Sequence, residues 1–175
     1  MKKINENFKL AIFQGIASLL GILSIVFTFI PAYFEESQPN MSIFEIALGN
    51  ERIQASPLLL FGFVLLIIGV VISISLLVIL LLKKGNDLVE TILGVSSIVL
   101  ILVGAVILTC AIFIAGLDKL NSELGFVQGS WGFLAGNYLV PIFALLAIGF
   151  TYPCAMIILH HKDLEDKKKV VELNK

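Results

Sequence analysis

"LLLFGFVLLIIGVVISISLLVILLL", residues 58–82, decides the fold class. It holds no charged residue. At about 1.5 Å per residue, a helix of this length covers the ~30 Å hydrocarbon core of a bilayer. Residues 10–34, 91–117 and 124–159 are also free of charge. Helices this uniformly apolar offer no polar face to water. Over the whole chain of 175 residues, 58% are hydrophobic and 14% are charged, against about a quarter charged in a soluble domain. The expected architecture is an all-α membrane protein, a compact left-handed bundle of four transmembrane helices over about 8–30, 57–82, 88–116 and 137–161. These form one membrane domain spanning 1–175, with loops over 31–56 and 117–136 and a tail over 162–175.

The distribution of charge predicts the orientation. Lys2, Lys3 and Lys9 precede the first run, Lys83 and Lys84 separate the second from the third, and five lysines follow the fourth. The opposite side holds only Arg52 and Lys119. An excess of bases marks the cytoplasmic side, so both termini are expected inside, with 31–56 outside. "MKKINENFK" resembles the basic start of a signal peptide. The apolar stretch from Leu10 to Ile30 exceeds the usual 7–15 residues and lacks a small-residue cleavage site, which predicts an uncleaved helix.

Punctuation marks the helix ends. Pro31 marks the exit of the first helix. Ser56-Pro57 provides a cap and a proline at the first helical position. "KKGND" turns the chain: Gly85 ends one helix, and Asp87 is expected to cap the next with Glu90 three residues on. A turn this short makes the second and third helices antiparallel neighbours. The last charge-free run is too long for one crossing. Its glycine-rich "GFVQGSWGFLAGN" is expected to be an interfacial loop with Trp131 at headgroup level. Pro141 is expected in the first turn of the last helix, and Pro153 inside it, as a kink.

Small and weakly polar residues recur along each helix: Gln14, Ala17, Gly21, Ser24 and Thr28; Gly62, Gly69 and Ser73; Ser97, Gly104 and Ala111; Ala144, Ala147, Thr151 and Cys154. Such seams let helix backbones approach closely in lipid. The candidate residues for helix packing, or for lining a path, are Gln14, Gly21, Ser24, Thr28, Gly104 and Thr151. Packing is favoured, because the seams carry no charge. Proton-coupled transporters usually hold an ionisable group at membrane depth, and the helix middles here have none. Glu90 falls in the first turn of its helix, where the dipole favours an acid.

No catalytic or cofactor motif is present: no phosphate loop, no nucleophile–base pair, no zinc spacing and no nucleic-acid signature. Cys110 and Cys154 are expected at depths roughly 20 Å apart at 1.5 Å per residue, too far for a disulfide. Both are read as small packing residues. His160 and His161 are adjacent and so diverge on a helix. Asp163–Lys167 and Glu165–Lys169 have the i, i+4 spacing that supports continued helix. The expected reading is no enzyme, no cofactor and no metal.

The polar island between the first two runs has local structure of its own. In "SQPNMSIFEIALGN", Ser42 and Glu45 form a capping box, and Gly49-Asn50 end a short helix. Ile43, Ile46 and Ala47 make one apolar side, with Phe44 and Leu48 on another. A short extracytosolic amphipathic helix is therefore expected, on the membrane surface or over the bundle top. It either plugs the bundle or uses Phe44 and Leu48 as a docking surface. Asn40-Met41-Ser42 is a glycosylation sequon. The eleven lysines to one arginine and the heavy use of isoleucine predict a bacterial, AT-rich origin, in which the sequon carries no meaning.

The layout is similar to claudin-like tetraspan proteins in topology only, since the claudin tryptophan and cysteine signature is missing. "FEIALGN", "LLLFGFVLLIIGVVIS", "KKG" and "ILGVSSIVLILVGAVILT" resemble uncharacterised four-helix integral membrane proteins of low-GC Gram-positive bacteria and their wall-less relatives. The resemblance covers about residues 44–150 and implies no activity and no site residues. The function expected from the residues is association in the cell membrane, as an accessory subunit, scaffold or envelope-organising protein. Its partners are the lipid bilayer and another membrane protein or a second copy, with no nucleic acid. The alternative is a small transporter or channel subunit for a neutral or apolar solute.

Overall fold

The computed structural model describes residues 2–35, 38–49, 55–82, 86–114 and 132–173. Among these residues the elements in chain order are α1 (Lys2–Phe27), β1 (Pro31–Glu35), β2 (Gln38–Ser42), α2 (Ile43–Leu48), α3 (Pro57–Leu82), α4 (Asp87–Thr109), α5 (Ala111–Ile114), β3 (Gly132–Phe133) and α6 (Ala135–Leu173). Four helices are long and apolar enough to cross a membrane: Phe8–Phe27, Pro57–Leu82, Leu88–Thr109 and Ala135–Leu159. This is a multi-pass membrane protein. Four crossings place both termini at one end of the bundle and the island at the other. The Trp131 loop, the Lys83–Gly85 turn, Arg52 and Lys119 lie outside the described residues.

α1 packs against α3 and α6, and α4 packs against the same two, so the helices form a closed ring of four. Their lipid faces are lined by Ile12, Phe61, Val64, Val95 and Leu145, all exposed. Their inner faces are the small-residue seams. Ala17, Gly62, Ser97, Ala144 and Ala147 are all buried.

The all-α expectation needs one correction. β1, β2 and β3 form a small antiparallel sheet in the order β2-β1-β3. β1 pairs with β2 through Pro31–Ser42, Tyr33–Met41 and Glu35–Gln38, with irregular register between them. It pairs with β3 through Tyr33–Phe133 and Phe34–Gly132. The stretches read as plain loops thus meet across about a hundred residues. Pairing gives their backbone groups partners at a bundle end, where the alternative is orphaned donors and acceptors.

The helix ends also differ from the expected ones. α1 stops at Phe27 rather than Ile30. Thr28, Phe29 and Ile30 donate to carbonyls three residues back, at 3.0, 3.2 and 3.3 Å, tightening the last turn. Thr28 O is thereby left for another donor. Asn86, not Asp87, caps α4, accepting from Leu88 N. The third span breaks at Cys110 before α5. α6 begins at Ala135 and runs on to Leu173, so the tail is helical over 162–173, the continuation that the i, i+4 pairs predict. Pro141 lies in its second turn, where it leaves Asn137 O without its usual donor.

Candidate functional site

The bundle interior carries a polar layer. The Gln14 Nε2 amide on α1 donates to Ser73 Oγ on α3 at 2.7 Å and to Ser73 O at 3.1 Å. Ser18 Oγ donates to Gln14 O at 2.9 Å and lies 3.0 Å from Ser73 Oγ. On α4, Ser97 Oγ donates to Gly69 O of α3 at 3.1 Å. On α6, Thr151 Oγ1 donates to Ala147 O at 3.1 Å. The Cys154 thiol reaches Leu10 O at 3.9 Å. One turn from that contact on each helix, Gln14 and Thr151 stand at the same level. Every one of these polar side chains is buried, and each donor has found an acceptor. One atom is left over: Gln14 Oε1 is buried with no partner. A buried, unpaired carbonyl costs roughly 1–3 kcal/mol, so the layer carries a residual polarity that its packing does not require.

Of the other seam candidates, Gly21, Ser24 and Gly104 lie at helix contacts, and Thr28 bonds within its own turn. Ser24 Oγ donates to Val140 O across the α1–α6 interface at 2.9 Å. Thr28 Oγ1 donates to Ile25 O at 2.7 Å. At Gly21 an added Cβ would stand 2.8 Å from Val70 Cγ2, and at Gly104 2.7 Å from Leu66 N and 2.8 Å from Gly62 O. Gly104 is therefore where the α3 and α4 backbones touch. Sequence spacing marked Gln14 and Thr151 as seam residues of their own helices. It did not reveal their companions Ser18 and Ser73 as a bonded group, since that depends on the rotation of α1 against α3.

The island is fixed at several points. Ser42 and Glu45 form the capping box: Glu45 N donates to Ser42 Oγ at 3.2 Å, and Ser42 N donates to Glu45 Oε2 at 2.7 Å. Phe44 N donates to the spare Thr28 O at 3.1 Å, and Ser56 N donates to Ala47 O at 3.1 Å. Gly49 takes φ 75°, a left-handed conformation suited to glycine, and its N–H returns to Glu45 O. Ile43, Ile46 and Ala47 are buried in a core shared with Leu59, Leu108 and Val140. The two docking candidates separate. The Phe44 ring lies 4.5 Å from Phe29 and 5.2 Å from Phe63, centroid to centroid, inside an aromatic triangle. Leu48 is 52% exposed.

An apolar groove of about 190 Å³ opens between α4 and α6, lined by Ala105, Thr109, Cys110, Pro141, Ala144 and Leu145 among others. Thr109 Oγ1 is occupied by Ala105 O at 2.7 Å, so this groove presents a hydrocarbon wall. Among the described residues no three of His, Cys, Asp and Glu gather as metal ligands. Cys110 and Cys154 are free thiols.

No protein-family model, no curated protein and no solved structure matches the chain.

Proposed function

We propose that this protein works by association within a bacterial cell membrane, as a non-enzymatic accessory subunit, scaffold or envelope-organising protein with both termini cytoplasmic. One observation carries the reading. Gln14, Ser24, Thr28 and Thr151, the groups a polar path would need, are buried and donate to carbonyls or hydroxyls of the bundle itself. Gln14 and Ser24 donate to neighbouring helices, and Thr28 and Thr151 to carbonyls one turn back in their own segments. The sheet and α2 support the same reading, since they cover the island end with a bonded cap.

Purification in mild detergent is expected to retain a partner chain or a second copy. A monomer that alone moves a solute across liposomes would defeat the reading. A second reading, passage of a small neutral solute, draws on Gln14 Oε1. Solute flux that disappears in Gln14→Leu while the fold persists would establish it.

A further inference from the structure

The glycines of the spanning helices differ in the space around them, from close contact to none. At Gly21, Gly62, Gly69 and Gly104 an added Cβ would stand under 3.0 Å from a neighbouring helix. The bundle needs those glycines. Gly149 is different: an added Cβ there meets nothing within 4 Å, and the residue is exposed. A glycine within a helix costs about 1 kcal/mol relative to alanine, and among the described residues nothing uses the space it leaves.

Two further features lie on the same exposed side. Tyr152, three residues on, is 56% exposed, and its hydroxyl bonds to no other described residue. Pro153, four residues on, lies inside α6 and has no N–H to give Gly149 O. A donor and an acceptor therefore face outward together. Gly149 is about 15 Å along the helix from Leu159, at 1.5 Å per residue, where the apolar span ends. Headgroups and water lie beyond reach at that depth, and acyl chains offer no hydrogen bond.

The geometry points to a second copy of this chain as the occupant, paired through the Leu145–Gly149–Tyr152–Met156 face of α6. This rests on the reading that the protein works by association, and it names the partner. Two copies insert in the same direction, so a twofold axis along the membrane normal sets equal depths face to face. Helical side chains lean toward the N-terminus, which carries the Tyr152 hydroxyl up toward the level of Gly149. In the pair, that hydroxyl donates to Gly149 O of the other helix, and the reverse bond forms by symmetry. The missing side chain at Gly149 allows the backbones to come close. One patch holding both halves of the bond, at the offset a parallel pair needs, is self-complementary, as a twofold interface must be.

The test uses the full chain in liposomes, labelled at a C-terminal tag with a donor or an acceptor fluorophore. Energy transfer is followed as lipid dilutes the protein. Wild type is expected to trace a monomer–dimer curve. Gly149→Leu, whose Cβ meets no described atom within 4 Å, is expected to move the midpoint at least tenfold toward higher protein-to-lipid ratio, with thermal unfolding in detergent unchanged. Tyr152→Phe removes both symmetry-related bonds and is expected to move it about eightfold, the scale of two interhelical hydrogen bonds in lipid at about 0.6 kcal/mol each. A midpoint indifferent to both changes overturns the interface. Absence of transfer in wild type overturns self-pairing, and a different membrane protein co-purifying in that case leaves association standing. Absence of transfer together with a partner-free monomer defeats both.

Discussion

The Tyr33 hydroxyl donates to Asn137 Oδ1 at 2.7 Å, joining the strand that follows α1 to the first turn of α6. The same junction is tight in its backbone. Leu134 N donates to Ala32 O at 2.8 Å, and an added Cβ at Gly136 would stand 2.5 Å from Ile30 O. The sheet therefore locks the first helix to the last at the island end. Asn137 is only 7% exposed, so losing the hydroxyl strands its carbonyl away from water.

Tyr33→Phe is expected to lower stability by about 1–3 kcal/mol, the cost of leaving a buried polar group unpaired. Thermal unfolding in detergent reads it. Hydrogen exchange should rise around β1 and the start of α6 before it rises in α3 and α4. Wild-type exchange and stability in this variant would show that the bond does not hold the junction.

The island helix gives a graded series. Ser42→Ala removes the cap and should cost about 0.5–2 kcal/mol. Ile46→Asp should cost more, since it places a charge in the core beneath α2. Phe44→Ala is expected to destabilise as a core change does, because its ring packs with Phe29 and Phe63. Leu48→Ala should stay within about 0.5 kcal/mol, as exposed positions do. If Phe44→Ala leaves stability intact and releases a co-purified partner, the island is a docking surface after all.

What was legible in the sequence follows the range of the interaction. The spans are written in charge-free runs long enough to cross a bilayer, and no distant contact can undo that. The Ser42–Glu45 box is written in three residues of spacing, and the structure contains it. The sheet was hidden, because Tyr33 pairs with Phe133, a hundred residues away in sequence. The two residues between β1 and β2 in sequence, Glu36-Ser37, lack the Asn-Gly signal of a tight turn. The end of α1 was hidden for a related reason: Thr28 O is claimed by Phe44 N of the island, which local helix propensity does not register. At the candidate layer, the residue types were visible but the Gln14–Ser73 bond was not, since periodicity marks a face and not which group faces it.

Orientation has a direct check. Single cysteines at Gln38 and Glu51 are expected to react with an impermeant reagent in intact cells, and those at Gly85 and Val170 are not. The lysines gathered around the two ends of the chain and at positions 83 and 84 motivate this. Labelling at Gly85 from outside would reverse the assignment.

The last prediction weighs packing against polarity in the bundle. Gly104→Ala places a methyl group against Leu66 N and Gly62 O. Backbone cannot step aside as a side chain can, so the change should cost about 1–3 kcal/mol. Gln14→Leu loses two donated bonds but also removes the unpaired Oε1. Single interhelical bonds in lipid average about 0.6 kcal/mol, and leucine fills a similar volume. Its net effect is expected within about 1 kcal/mol of wild type. Both are read by the same detergent unfolding titration. A Gln14→Leu loss larger than that of Gly104→Ala would mean that the polar layer, rather than the glycine contact, holds the bundle.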